Sequence, residues 1–182
     1  MGNLNRTRLK LRKPHGLTLT ELLIVVAVVG ILSAIVAPSW LSFLARQQVE
    51  SGQGQVRLDV QEAQLKAQQK NVLWQFSIRE KFGVVETSVH PATAVPSTVV
   101  WNALNNSIQI DQFETTLLSS DSVYYVRFDE KGNVRKSRRG RVTLSSKKAP
   151  DIKRCVFIST LLGATRAAKE QSNPDRGGRF CY

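Results

Sequence analysis

The stretch Leu17-Thr18-Leu19-Thr20-Glu21-Leu22-Leu23-Ile24-Val25-Val26-Ala27-Val28-Val29-Gly30-Ile31-Leu32-Ser33-Ala34 decides how this chain is read. From Leu22 to Ala45 no residue carries a charge, and most are Leu, Ile, Val or Ala. About 20 such residues cross the hydrocarbon core of a bilayer as a helix. Upstream, Arg6, Arg8, Lys10, Arg12 and Lys13 meet no acid, which keeps the N-terminus cytoplasmic. The expectation is a single pass through the cytoplasmic (inner) membrane over 22–41, with the remainder on the periplasmic side. A secretory signal has a shorter apolar region that ends in small residues at a cleavage site. Ser33, Ala34 and Ala37 imitate such a site, but the basic leader is long and Gly16 precedes the apolar stretch.

Glu21 is the only charge at the head of that stretch, and an acid beside a bilayer is costly enough to mark a function with a partner. The basic leader, Gly16 and Glu21 together resemble the processing and assembly signal of type IV prepilins and type II secretion pseudopilins. The resemblance implies that prepilin peptidase cuts after Gly16 and that the new N-terminal residue, Leu17, is methylated. It implies too that Glu21 pairs with the amine of a neighbouring subunit during assembly. Leu17 stands where phenylalanine is usual, and Thr20 where an apolar residue is common. Pro38 removes a hydrogen bond and kinks or loosens a helix. Pilin helices often carry a proline at this distance, although a proline marking the membrane exit is the rival reading. The implied partners are other pilin subunits, prepilin peptidase, the inner-membrane assembly platform and the membrane. No cofactor is expected. The destination is an extracellular pilus or a periplasmic pseudopilus.

Beyond the membrane, Val49, Gly52, Val56, Val60, Ala63 and Ala67 recur at spacings of three and four, one face of a helix. Arg57, Asp59, Glu62, Lys66 and Lys70 fall on its other faces. One helix from about Leu17 to about Asn71 is expected, weakened near Gly52 and Gly54. Trp74 to Phe82 reads as an apolar cluster, and His90 to Ser97 as a long, turn-rich loop with His90 exposed. Strands are expected over Thr98–Trp101, Ser107–Ile110 and Val123–Phe128, with a hairpin turn at Asp129–Asn133 and Val134 beginning the return. Val142 with Leu144, and Cys155 to Leu161, supply two more. The fold class is therefore α+β, a long helix packed on an antiparallel β head. The divisions are 1–16 leader, 17–71 helix and 72–182 head with its C-terminal loop.

The last third resembles FimT-like minor pilins and the H-type minor pseudopilins, through the strand ending at Phe128, the Gly132 turn, Gly140-Arg141-Val142 and the strand entering Gly163. Some FimT-like proteins bind DNA through a Gly-Arg-x-Arg signature. Here that run is Gly163-Ala164-Thr165-Arg166, without the first arginine. Cys155 and Cys181, facing oxidising conditions, form a bridge that closes the C-terminal loop as pilins often do, or else Cys155 is a core thiol and Cys181 is free. No metal-ligand spacing is present.

The net charge is +12, and removing the five leader cations leaves +7. Eleven cations against three acids lie between Arg127 and Arg154, whereas residues 46 to 126 hold six against eight. Arg135, Lys136, Arg138, Arg139 and Arg141, with Arg166, are the candidate sites for DNA or another anionic surface. The rival reading is a solvated rim or a contact with acidic neighbours. No motif orders a nucleophile, a base and an orienting group, so the chain reads as a non-enzyme that receives chemistry at Gly16 and Leu17.

Overall fold

The computed structural model describes residues 16–95, 98–135, 140–159 and 162–182, with the backbone alone for 35–38. The leader cations, the side chain of Pro38, and Lys136, Arg138 and Arg139 lie outside the described residues. The chain divides into two compact units, Met1–Trp40 and Leu41–Tyr182. The second unit takes in the second half of the long helix together with the strands.

Helix α1 spans Leu19–Lys70. Its start is fixed locally: the Thr18 hydroxyl accepts the Glu21 amide at 3.3 Å, satisfying a donor that the first turn leaves orphaned. Its end is equally local. Lys70 supplies a cation to the last turn, and Asn71 takes a left-handed φ of 51°, a conformation that Asn tolerates and that terminates helices. The helix runs through Gly52 and Gly54 without a break. Gly52 is a point of close approach, because a Cβ there would lie 2.7 Å from Ile108 Cδ1 and 3.3 Å from Leu144 Cδ1.

The strands are β1 Trp74–Lys81, β2 Val84–Pro91, β3 Asn102–Ala103, β4 Ile108–Ile110, β5 Leu118–Ser120, β6 Val123–Phe128, β7 Gly140–Ser146, β8 Lys153–Ile158 and β9 Thr165–Lys169. They form two antiparallel sheets, ordered β3-β2-β1-β6-β5 and β4-β7-β8-β9. The apolar cluster expected near Trp74 is half of the β1–β2 hairpin, turned by Phe82 and Gly83 at φ of 51° and 74°. The expected strand Thr98–Trp101 is instead irregular, and β3 follows it. Strand β8 is assigned to Ile158, while residues 160 and 161 lie outside the description. Val134 makes a single bridge to Phe128 and no full return strand among the described residues.

The core joins the helix stripe to both sheets. Val49, Val56, Val60, Ala63 and Ala67 are fully buried with Phe76, Ile78, Val126 and Phe128 from the first sheet and Val142, Leu144 and Val156 from the second. Each large buried aliphatic or aromatic side chain contributes about 1.5–3 kcal/mol by leaving water. Small Ala63 and Ala67 allow the helix to lie close to the sheet. Asp59 departs from expectation: it is buried at 5% exposure, with Gln55 Nε2 donating to Oδ1 at 2.8 Å and Oδ2 without a partner among the described residues. Desolvation raises its pKa, opposed by Thr87 and Gln55 and supported by nearby Glu62.

Glutamines then fasten the helix to the head. Gln53 Nε2 donates to the carbonyls of Cys155 and Ala168, both at 2.7 Å. Gln64 Nε2 reaches the carbonyls of Gly132 at 2.9 Å and Leu162 at 2.7 Å, and Gln68 reaches that of Lys131 at 3.1 Å.

Candidate functional site

In the first unit, Gly16 and Leu17 precede the helix in an exposed segment without regular structure, with Leu17 69% exposed. Glu21 sits in the first turn, exposed, three residues after its cap Thr18. A carboxylate there is favoured by the positive end of the helix dipole. Thr-x-x-Glu is also the capping-box spacing, a local role for Glu21 that the sequence carried and the reading above passed over. The apolar face is exposed all round: Leu22, Ile24, Val26, Ile31 and Leu32 lie open to whatever surrounds the helix. Ser33, among them, donates its hydroxyl back to the Val29 carbonyl at 2.8 Å, the way a polar side chain is satisfied in an apolar medium. Among the described residues no single helix is long and apolar enough to cross a membrane, although Leu19–Ala34 and Ser39–Lys70 meet that requirement as a pair.

In the head, several cations of the expected basic region are committed to the fold. Arg141 is 4% exposed: its Nε donates to the Glu114 carbonyl at 2.9 Å, its Nη1 to the Cys181 carbonyl, and its Nη2 lies 3.6 Å from Asp175 Oδ2. Burial and the neighbouring Arg179 pull its pKa down, against Asp175 and Glu114. It faces the C-terminal loop, so its place among exposed anion-binding residues is corrected. Lys153 bonds Asp111 at 2.7 Å and Glu114 at 2.8 Å, and Arg154 pairs with Glu170. Burial lowers the Lys153 pKa, but these two carboxylates outweigh it and hold the value above the ordinary one. Lys147 is spent on the carbonyls of Gly83 and Asn106. Arg166 is exposed and lies 4.8 Å over the Phe157 ring, on the second sheet, away from Arg135 in chain and strand order.

Cys155 and Cys181 are bridged, with Cα atoms 6.1 Å apart. The loop that the bridge closes is itself folded. Asp175 Oδ1 accepts the amides of Gly177 at 2.7 Å and Arg179 at 3.0 Å, and Gln171 N donates to the Phe180 carbonyl at 2.8 Å.

A cluster that the sequence reading missed occupies the outer face of the first sheet. The register aligns His90, Gln75 and Arg127 in one row across β2, β1 and β6, and Ser88, Ser77 and Tyr125 in the next. His90 is not a loop residue: it is the penultimate residue of β2, with Nδ1 2.9 Å from the Pro91 carbonyl and Nε2 3.0 Å from Ser77 Oγ. The carbonyl only accepts, so Nδ1 carries a proton, and in the neutral ring Ser77 donates to Nε2. Gln75 Nε2 donates to Ser77 Oγ at 2.8 Å, and Arg127 Nε donates to Gln75 Oε1 at 2.7 Å. The polar positions at 75 and 77, alternating with apolar Trp74, Phe76 and Ile78, were the available signal.

Residues 11–37 match the prokaryotic N-terminal methylation motif. This is the type IV pilin and pseudopilin signal; it supports a type IV pilin-like or pseudopilin precursor and points to a structural subunit. It implies a membrane-anchored precursor that assembles with other pilins after the action of prepilin peptidase. No curated relative and no solved structure matches the chain, so the head is read from its own geometry.

Proposed function

We propose that the chain is a minor pilin or pseudopilin, cut after Gly16, methylated on Leu17 and drawn into a filament by Glu21. The observation that carries this reading is the methylation motif over residues 11–37, which takes in the start of an apolar helix whose first turn presents an exposed acid. Cleavage releases an α-amino group on Leu17, one helical turn before Glu21. In a bundle of apolar helices, an unpaired carboxylate is expensive. A neighbour's Leu17 amine neutralises it, and this pairing sets the axial register of the entering subunit. Until then the segment 22–41 stores the subunit in the inner membrane. The atypical residues Leu17 and Thr20 of the processing signal and the basic head favour a minor subunit.

Mass spectrometry of the mature N-terminus tests the processing: a methylated Leu17 is expected, and an intact Met1 or a cut near Ala37 overturns it. Replacing Glu21 by Ala is expected to leave membrane insertion intact and remove the subunit from sheared filaments.

A second reading adds display of a surface that binds DNA or another polyanion, favoured by the cation excess between Arg127 and Arg154. Gel shifts that weaken steeply with salt are its signature.

A further inference from the structure

The outer face of the first sheet is hollow where the segment after β2 passes over it. A cavity of about 300 Å³ opens there, at the small end of the range for ligand pockets. Its floor is the hydrogen-bonded row of Gln75, Ser77 and His90, and its walls include Trp101, Tyr125 and Arg127. Asp121, from the β5–β6 turn, stands at the rim. Asp121 and Ser122, at left-handed φ values of 51° and 64°, form the two-residue hairpin turn that places Asp121 there. A second hollow of about 310 Å³ adjoins the first across Tyr125 and Arg127, and Arg135 lines its far side.

Three features narrow the ligand. Arg127 is held from behind through Nε by Gln75, while no carboxylate of the described residues lies within ion-pair distance of it. Its remaining fork is thus oriented and lacks a counter-charge, the arrangement that takes a carboxylate in two parallel bonds. Arg79, by contrast, is already neutralised by Glu86 at 2.9 Å. Second, the lining mixes aromatic rings with an amide, a hydroxyl, an imidazole and an acid, groups that complement the apolar faces and hydroxyl edges of a sugar ring. Third, guanidinium groups already stand over both rings, Arg79 3.8 Å from Trp101 and Arg127 4.8 Å from Tyr125. Stacking holds the Arg127 cation against an aromatic wall, where the carboxylate and the ring of one sugar meet it together, and Asp121 accepts from hydroxyls.

We propose that these paired hollows bind an acidic saccharide, with the carboxylate of one sugar unit on Arg127 and the adjoining unit toward Arg135. The site lies wholly in the head, so its failure leaves the assembly reading untouched, and the failure of assembly leaves it untouched in turn.

The test uses the full-length chain purified in detergent, titrated with digalacturonate, with its neutral counterpart digalactose, and with a short single-stranded oligonucleotide. Binding is read from tryptophan emission, with Trp101→Phe to assign the signal. Digalacturonate is expected to bind at least about tenfold tighter than digalactose. Arg127→Gln is expected to lose about tenfold or more, and Arg166→Gln nothing. Arg127→Lys keeps the positive charge in the fold but not the fork, and is expected to weaken binding with an unchanged unfolding midpoint. Equal affinity for the acidic and neutral disaccharides, no binding of either, full binding by Arg127→Lys, or an equal loss in Arg166→Gln overturns the proposal. So does tighter binding of the oligonucleotide, which assigns the face to nucleic acid instead.

Discussion

The carboxylate of Glu114, fully shielded from solvent, accepts the backbone amide of Cys181 at 3.0 Å, beside the bridge that joins Cys181 to Cys155. Its other oxygen takes the Phe180 amide at 3.1 Å and the Lys153 ammonium at 2.8 Å. A buried charge is tolerable only when it is paired and hydrogen-bonded, and Glu114 is both. One side chain thereby turns the end of the chain into part of the second sheet's surroundings.

Replacing Glu114 by Ala leaves Lys153 and two tail amides without their common acceptor. We expect a loss of about 3 kcal/mol, read from denaturant unfolding. The Lys153 pair also has a pH signature. Because its pKa is raised in the fold, its contribution is complete below the ordinary lysine value of 10.5 and is lost as pH rises through the raised value. The alkaline limb of stability against pH is therefore expected to flatten in the Glu114→Ala variant.

Reduction of the Cys155–Cys181 bridge, closing a separation of 26 residues, is expected to cost about 3–4 kcal/mol in the chain-entropy description. Hydrogen exchange is the sharper check. Protection should fall first at the amides of Phe180 and Cys181 and persist in β7 and β8.

Gly52→Ala tests the helix contact. Helix propensity alone predicts a gain of about 1 kcal/mol. The added methyl, at 2.7 Å from Ile108 Cδ1, meets a packed core, and overpacking costs roughly 1–3 kcal/mol. A net loss in unfolding free energy is expected, with partial recovery when Ile108→Val removes that Cδ1 atom.

Asp59→Asn is expected to stabilise the head at neutral pH by about 1 kcal/mol, since it removes a buried charge that is only half satisfied. The sign follows from the raised pKa: protonation of the wild-type acid stabilises the fold, and that benefit is lost as pH rises through the folded value. The advantage of Asn should therefore shrink as pH falls and Asp59 protonates. Thermal melts at several pH values check this.

Thr18→Val and Glu21→Gln separate the two roles at the start of α1. The first removes the acceptor for the Glu21 amide and should fray the first turn, at a cost of about 1 kcal/mol. The second keeps the helix while removing the charge. Filament incorporation is expected to fail in Glu21→Gln and survive in Thr18→Val, as measured by immunoblotting of sheared filaments.

The helix and the class of fold were legible because their signals are local and periodic. Val49 to Ala67 repeat at helical spacing, and Tyr124, Val126 and Phe128 alternate with their turn at Asp129 to Asn133. The β1–β2 hairpin was missed because its turn is Phe82-Gly83, whose first residue gives no turn signal, and because Trp74 to Phe82 is apolar enough to mask the alternation. Asp59 and Arg141 were assigned to the surface from charge alone. What buries them, Thr87 on one side and the folded tail on the other, is distant in sequence. The row of His90, Gln75 and Arg127 exists only through strand register, which composition does not encode.

The glutamines that reach from the rod into the strands and loops of the head have a mechanical consequence. Their bonds lie at Gln53, Gln64 and Gln68, spread over four turns and aimed at unrelated carbonyls. A pull along the axis loads them in shear and together, so the head cannot creep along its shaft one rung at a time.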